Sequence, residues 1–353
     1  MDRKNDLPTA ATEPHPFALG ARVDLPMRVV AVEQRDSERG GFTTLTLCAR
    51  AGRISTSPFW QQDLARLDGI APGSLVRVVG RVGQFRGRRQ VIVGSVVSLP
   101  SGAVDWRDLL PAIDSAGPYW TALDRWRTTM RAPRLAQTLE LFFSDADFRD
   151  RFEACPASTA GHHAELGGLL RHTWEVAAIA RAIARTCHAD QDLVTAAALL
   201  HDIGKLEAYR WDGAFETTEA GFLLGHVTLG MLMLDRRLRQ AVGAPCTPSE
   251  ERLLQHLIAS HHGRQEFGAA VAPMTLEAEI LHYADNASAK SASMARALAD
   301  ADNFEGDALL TSRAVWELDH RRAYRGRSDW GREVASCKES AVAGKTERPP
   351  SRG

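Results

Sequence analysis

Seven histidine and aspartate side chains lie inside or at the ends of apolar helical stretches, and this placement constrains the fold more than any other feature. They are His172, His201, Asp202, His226, His261, His262 and Asp285. Burying an ionisable group without a partner costs free energy, so the fold has to provide partners for all seven side chains. One metal site reached from several helices would resolve these burials together, whereas separate hydrogen-bond partners would require several coincidences.

The adjacent pair His201–Asp202 ends one such stretch, in the run Ala198-Leu-Leu-His-Asp-Ile-Gly-Lys205. Imidazole nitrogens together with carboxylate oxygens suit divalent cations such as Mn, Fe, Co or Zn. A lysine three residues past the aspartate favours phosphoester hydrolysis by metal-activated water. Asp202 and Lys205 are therefore the candidate catalytic residues. The alternative interpretation of Lys205 is a solvated lysine at a helix end.

Composition limits the class of protein. A chain of 353 residues has room for two domains, and its formal charge of -1 predicts no general attraction to polyanions, so any nucleic-acid binding must be local. The five cysteines form no Cys-x-x-Cys pair, which argues against a disulfide framework or a thiolate zinc site. No apolar run approaches the ~18 residues of a membrane span, and the N-terminal residues lack a signal-peptide core. We expect a cytoplasmic protein without a membrane partner.

The chain changes character near Pro100. Before it, runs rich in β-branched residues alternate with turn formers, and the predicted strands are 27–32, 42–47, 75–82 and 90–93, with a helix at Gln61–Leu67. About five strands with one helix favour a small barrel of the OB type, with an SH3-like barrel as the runner-up. After it the periodicity is helical, and the predicted helices are 135–143, 169–187, 192–202, 223–242, 248–261 and 275–298. Ser249 and Thr275 are interpreted as helix-start residues.

The predicted fold class is therefore multidomain, an N-terminal all-β OB-type barrel followed by an all-α domain. The predicted parts are a disordered leader at 1–20, the barrel at 21–100, a helical connector at 101–134, the all-α domain at 135–327 and a disordered tail at 328–353.

The barrel is locally basic. Residues 21 to 100 contain twelve arginines, no lysine and six carboxylates, which gives a local net charge of +6. Arginines with interleaved aromatic residues are typical of surfaces that bind single-stranded nucleic acid. The candidate nucleic-acid contacts here are Trp60, Phe85, Arg86, Arg88 and Arg89. The alternative is a solvated arginine hairpin with core aromatics, because an OB-like fold alone does not establish binding.

The order His172, His201–Asp202, Asp285 resembles the signature of the HD-domain metal-dependent phosphohydrolase superfamily. Finer stretches resemble the YhaM-type 3′-to-5′ exoribonucleases, which carry an OB-type nucleic-acid-binding domain ahead of the HD domain. These stretches are His162-His-Ala164, Gly167-Gly-Leu-Leu-Arg-His-Thr173, Ala198-Leu-Leu-His-Asp-Ile-Gly-Lys205, Leu224-Gly-His226, Ser260-His-His-Gly263, Pro273-Met-Thr275 and His282-Tyr-Ala-Asp-Asn286. The resemblance spans roughly residues 22 to 325.

The resemblance implies a ligand set. One ion would be held by His172, His201, Asp202 and Asp285. Asp202 would bridge to a second ion completed by His226 and by His261 or His262. One or two divalent ions are therefore expected, Mn foremost, with Co, Fe, Mg and Zn as alternatives. Lys205 would lie near the scissile phosphate, and His162 and His163 would either contact substrate or only pack.

The predicted function is a metal-dependent 3′-to-5′ exonuclease acting on single-stranded RNA, with single-stranded DNA as a second candidate substrate. Two alternatives stay open. One is an HD-type nucleotide phosphohydrolase, and the other is a non-catalytic nucleic-acid-binding protein with a vestigial HD fold. Relatives also suggest assembly into a homo-oligomer.

Overall fold

The computed structural model describes residues 16–38, 40–100 and 102–326. The predicted tail at 328–353 and residues 1–15 of the predicted leader lie outside these ranges. An all-β part comes first and a helical part follows it, so the predicted fold class is confirmed.

The first part is a closed barrel. Its strands are β1 (Arg22–Ser37), β2 (Gly40–Ala49), β3 (Gly52–Thr56), β4 (Phe59–Trp60), β5 (Leu75–Phe85) and β6 (Arg88–Ser98). Strand β1 pairs with both β2 and β5, β2 pairs with β3, and β6 closes the ring by pairing antiparallel with β5 and parallel with β3. The two-residue β4 only adds to β2. This five-stranded closure, with a 3-10 helix at Gln61–Leu67, is the OB-type barrel and not the SH3-like alternative.

Strand alternation fills the barrel. Successive residues of a strand point to opposite faces, so every second side chain enters the interior, as Val76, Val78 and Val82 of β5 do. The strands are longer than predicted because they extend at their ends into exposed polar residues, such as Gln84 of β5 and Asp36 of β1, which carry no apolar signal. Strand β3 was missed because it is short and only Ile54 and Thr56 of its residues are buried, one of them polar.

The described part of the chain contains nine α-helices. They are α1 (Gly117–Thr128), α2 (Pro133–Phe143), α3 (Ala146–Ala154), α4 (Gly168–Cys187), α5 (Gln191–Leu200), α6 (Lys205–Ala208), α7 (Glu219–Gln240), α8 (Pro248–Ser260) and α9 (Leu276–Ala299). A short ribbon of β7 (Tyr209–Arg210) and β8 (Glu216–Thr217) interrupts them. Within residues 16–38, 40–100 and 102–326, no helix combines the length and apolar character needed to cross a lipid bilayer.

Two helix starts test the capping predictions. Thr275 caps α9 by accepting the backbone N–H of Ala278, as predicted. The prediction of Ser249 for α8 was wrong, because the cap is Thr247. Its hydroxyl accepts the N–H of Glu250, whose carboxylate accepts the N–H of Thr247 in return. Pro248 occupies the first helical position, where its preset φ is favourable, so the cap has to precede it.

Helix α5 lies at the centre of the helical part. Its residues from Val194 to Leu200 are all buried, and it packs against α2, α4, α8 and α9. A helix that is apolar on all sides belongs in a core rather than at a surface. The residues that follow it, His201 and Asp202, are consequently placed in the interior.

The barrel rests directly on the helical part. Cys48 of the barrel is buried with Leu110 and Phe215, and Arg89 forms ion pairs with Asp300 and Asp302 beyond the end of α9. These contacts place one wall of the barrel against the helices. The exact domain boundaries at residues 20, 100, 134 and 327 stay predictions.

Candidate metal centre

The turn between α5 and α6 carries His201 and Asp202, and a close backbone contact places it. A Cβ atom on Gly204 would lie 2.0 Å from the carbonyl oxygen of His226 and 2.3 Å from the backbone nitrogen of Gly230. Only glycine therefore lets α7 approach this turn so closely. As a result His226 Nε2 reaches 3.4 Å from Asp202 Oδ1.

Three of the other six side chains, those of His172, His201 and Asp285, meet on one side of Asp202. His172 Nε2 is 3.0 Å from Asp285 Oδ1 and 3.4 Å from Asp202 Oδ2. His201 Nε2 is 3.2 Å from Asp202 Oδ2 and 3.4 Å from His172 Nε2. Helices α4 and α9 and the end of α5 thus bring these side chains together, as the sequence predicts.

The other three histidines meet on the opposite side of the same carboxylate. His226 Nε2 and His261 Nε2 lie 3.4 and 3.7 Å from Asp202 Oδ1. His262 Nε2 lies 3.0 Å from His226 Nε2, and its Nδ1 lies 3.6 Å from Asp285 Oδ2. Both His261 and His262 therefore belong to the cluster, and Asp202 directs one oxygen toward each group of side chains.

The donor set fits divalent cations. The Nδ1–H groups of His201 and His261 donate to the carbonyl oxygens of Ala198 and Ile258, at 2.8 and 2.7 Å, so their Nε2 atoms present lone pairs. Among the described residues, His261 Nε2 and Asp202 Oδ1 are buried without a hydrogen-bond partner. Adjacent ligands of an octahedral ion at ~2.1 Å would be about 3 Å apart. The closest distances between the converging nitrogen and carboxylate atoms run from 3.0 to 3.7 Å, at that value or somewhat above it.

Burial keeps part of the histidine cluster neutral. It lowers the pKa of His226 to about 3 and the pKa of His261 well below its usual value. A neutral imidazole is the form that binds a metal ion. The protonation state therefore agrees with the geometry.

Lys205 points into the centre. Only 6% of its side chain is exposed, and its Nζ donates to Asp202 Oδ2 at 2.5 Å, so the solvated-lysine alternative is wrong. Burial, the largest single influence, raises the pKa of Asp202, but the charge of Lys205 together with the contacts from His201 and His172 outweighs burial and holds that pKa well below the usual range. Asp202 is consequently ionised.

A hydrogen-bond chain behind His172 was missed by the sequence analysis. His172 Nδ1–H donates to Ser288 Oγ at 3.0 Å, and Ser288 donates in turn to Glu175 Oε2 at 2.8 Å. Glu175 and Ser288 each lie one helical turn from a cluster residue, three positions after His172 and Asp285. That spacing was the available signal, because residues at i and i+3 share a helix face.

His163 belongs to the same chain. Its side chain is 3% exposed, and its Nε2–H donates to Glu175 Oε2 at 2.9 Å. Burial alone would lower the pKa of His163, but its bonds to Glu165 and Glu175 raise it. These contacts support a packing role for His163 rather than contact with the substrate. The neighbouring His162 is closer to the centre, with its ring 5.3 Å from that of His172.

Ser288→Ala should weaken metal binding. Without the hydroxyl, His172 loses the acceptor that fixes its Nδ1–H tautomer and ring orientation. Loss of such an outer partner typically lowers metal affinity ~10–100-fold. Calorimetric titration with Mn²⁺ measures the change. Ser293→Ala, at another buried serine of α9, is the control and should bind like wild type; equal affinities for all three proteins would contradict the prediction.

The predicted nucleic-acid contacts occupy different environments. Phe85 is 60% exposed at the tip of the β5–β6 hairpin, and the Arg86 guanidinium lies over its ring. Arg88 is exposed beside them. Trp60 is half-buried against Phe42. Arg89 is instead held by Asp300 and Asp302, so its guanidinium joins the barrel to the helical part.

A groove of about 1240 Å³ runs between the barrel and the helical part. Arg53 and the hairpin residues 86–89 line the barrel side. Residues 159, 160 and 164 line the other side, next to His162. The groove thus extends from the arginine hairpin toward the loop that borders the metal centre.

The sequence also matches known proteins. Residues 169–290 match the family model of the HD domain. The chain is 32% identical to the 3′-5′ exoribonuclease YhaM of Bacillus subtilis (strain 168) over 262 residues, 73% of this chain and 81% of that protein. It is 30% identical to the YhaM exoribonuclease of Bacillus licheniformis over 87% of this chain and 96% of that protein. For the Geobacillus sp. (strain WCH70) protein of the same name the identity is 28%, over 88% and 93%. The chain therefore belongs to the YhaM exoribonuclease family and carries an HD domain.

Proposed function

We propose that this protein is a metal-dependent 3′-to-5′ exonuclease that shortens single-stranded RNA, with single-stranded DNA as a second substrate. The observation that carries the proposal is the position of Asp202, a buried carboxylate with two clusters of histidine nitrogens on its two sides. The arginine-rich barrel beside it and the names of the relatives support RNA as the substrate.

The residues divide the chemical work. His172, His201, Asp202 and Asp285 would hold one divalent ion, and Asp202, His226, His261 and His262 a second. Such ions supply a water of lowered pKa and neutralise charge on the phosphate. Lys205 holds Asp202 in position and adds a positive charge to the centre. Ser288 and Glu175 orient His172 from behind.

The barrel would bind the strand ahead of the reacting end. A base stacked on an aromatic ring contributes ~1–3 kcal/mol regardless of its identity, and arginine binds phosphate. Arg86 lines the groove, and its guanidinium lies over the exposed ring of Phe85 at the hairpin tip. Because the groove borders Ala160 and Ala164, on either side of His162, it offers a path toward the metal centre.

Product analysis tests the function. Purified protein with Mn²⁺ and 5′-labelled single-stranded RNA should release mononucleotides and leave a ladder that shortens from the 3′ end. Chelation of the metal should stop the reaction. Hydrolysis of free mononucleotides with no shortening of RNA would favour the nucleotide phosphohydrolase. Binding of RNA without any hydrolysis would favour the non-catalytic alternative.

Replacing two hairpin arginines should affect only long substrates. Arg86→Ala/Arg88→Ala should weaken RNA binding and reduce its salt dependence by ~0.7 in the log–log slope for each phosphate that is no longer bound. Hydrolysis of bis(p-nitrophenyl) phosphate should be unchanged, because that ester is too small to reach the hairpin. Arg35→Ala/Arg77→Ala, two exposed barrel arginines outside the groove lining, is the matched control. An equal loss in both double variants would rule out a specific role of the hairpin.

The identity of the native ion, with Mn foremost, the cytoplasmic location and self-association into a homo-oligomer belong to the same proposal. Metal analysis of protein purified without added metal and light scattering would check the first and the last.

A further inference from the structure

Helix α9 connects the candidate metal centre to the barrel. It carries Asp285, and it ends at Ala299, where Asp300 caps it. Asp300 lies fifteen residues after Asp285. At 1.5 Å per residue this separates the two carboxylates by about 22 Å along the helix axis. One rigid element therefore spans from the centre to the point where the barrel is attached.

The attachment is a partly buried network around Arg89. Its Nε donates to Asp302 Oδ2 at 2.8 Å, its Nη2 to Asp300 Oδ1 at 2.7 Å and its Nη1 to the carbonyl oxygen of Phe17 at 3.2 Å. The backbone N–H of Arg89 also donates to Asp302 Oδ2. Side-chain exposure is 23% for both Arg89 and Asp302, so water competes less than it does at a fully exposed pair. We call this network the Arg89 clasp.

The groove between the clasp and the centre has a second fixed point. Arg296 of α9 donates from Nη1 to the carbonyl oxygen of Gly161 at 2.7 Å, and it also bonds the carbonyl oxygen of Ala160. The loop before His162 is therefore tied to the same helix that carries the clasp. Both walls of the groove are positioned by α9.

We propose that α9 and the Arg89 clasp hold the arginine hairpin at a set distance from the metal centre and thereby impose a minimum length on a good substrate. The inference rests on the proposed nuclease function. A span of about 22 Å corresponds to about six nucleotides at the stacked spacing of ~3.4 Å, and to fewer in an extended strand. A longer strand reaches both the hairpin and the centre, whereas a shorter one reaches only the centre.

A length series tests the proposal. The substrates are 5′-labelled oligouridylates from two to twelve nucleotides, and the measured quantities are kcat and KM with Mn²⁺. Wild type should show a step in kcat/KM near six nucleotides, carried by KM. A strand too short to stack one base and bind one phosphate at the hairpin should bind about ten- to a hundredfold more weakly.

The clasp variant is Asp300→Asn/Asp302→Ala, in which asparagine can still accept the backbone N–H of residue 302, as the Asp300 side chain does. In this variant the rise in kcat/KM near six nucleotides should be at least about tenfold smaller, because the hairpin is no longer held at a fixed distance from the metal centre. Hydrolysis of the dinucleotide should be unchanged. Simple electrostatics predicts the opposite, since removing carboxylates from a groove favours a polyanion. Glu305→Ala is the control. It removes an exposed carboxylate of the same groove that is not among the described partners of Arg89, and the step should persist.

The outcomes separate the two proposals. If wild type shortens no oligonucleotide, the proposed function is wrong and this inference falls with it. If wild type degrades RNA without a length step, or the clasp variant retains the full step, only the inference is overturned. If the double variant also loses dinucleotide hydrolysis, the milder Asp302→Asn decides, because it should reduce the step and leave dinucleotide hydrolysis intact; a full step in Asp302→Asn overturns the inference.

Discussion

Asp202→Asn should lower RNA hydrolysis by at least about a thousandfold. Both groups of nitrogens share this carboxylate, so its replacement by an amide would take the negative charge away from both proposed ions and replace one oxygen ligand with an NH2 group. Charge stabilisation by a bound metal is worth several kcal/mol, and each ~1.4 kcal/mol is a tenfold change in rate. Single-turnover rates on labelled RNA measure the loss of hydrolysis. The metal content per chain should also fall, and metal analysis measures that loss.

The same substitution should also destabilise the fold. It leaves Lys205 buried without its counter-charge, and removing one partner of a buried pair typically costs ~3–5 kcal/mol. Asp202→Asn/Lys205→Met is the control for this effect, because it should recover the thermal midpoint without recovering hydrolysis. A single Asp202→Asn variant with wild-type rates would overturn the proposed role of the carboxylate.

Gly204→Ala should give a large loss of stability for the addition of a single methyl group. The backbone at Gly204 is ordinary right-handed helix, with φ -64° and ψ -15°, so alanine brings no dihedral strain. The added carbon would instead lie 2.0 Å from the His226 carbonyl oxygen, so one of the two backbones has to shift. We expect a loss at or above the upper end of the ~1–3 kcal/mol typical of overpacking.

Thermal unfolding measures this loss, and the midpoint should fall by roughly 6–12 °C. Metal binding should weaken as well, because α7 has to move outward and take His226 away from Asp202. Gly117→Ala is the matched control, since its nearest neighbour to an added Cβ is Ser115 Oγ at 3.8 Å. A Gly204→Ala protein as stable as Gly117→Ala would show that the α6–α7 contact is looser than described.

Local patterns in the sequence predicted most of the architecture. Alternation in β5 and apolar periodicity in α5 follow from which side of an element faces the core, and a few neighbouring residues determine this. The misplacement of the α8 cap at Ser249 also has a local cause, because Pro248 moves the cap to Thr247. These errors shift element ends without changing the fold.

The seven candidate ligands could be identified because burying an ionisable group has a high cost, whatever the fold around it. The family resemblance implied their division around Asp202, but the finding that both His261 and His262 lie close required coordinates, since it depends on how α8 meets α7 and α9. Ser288 and Glu175 were missed because a serine and a glutamate on a helix have many ordinary roles.

Arg89 shows most clearly what the sequence determines and what depends on the tertiary structure. The sequence by itself determined that it lies on a basic hairpin, that the barrel precedes a helical part, and which ionisable side chains lie in apolar helices. Only the tertiary structure decided that Arg89 binds Asp300 and Asp302, since Asp302 is 213 positions away along the chain. Charges and hydrogen bonds act through distances of a few ångströms, and such distances between remote residues exist only after the chain has folded.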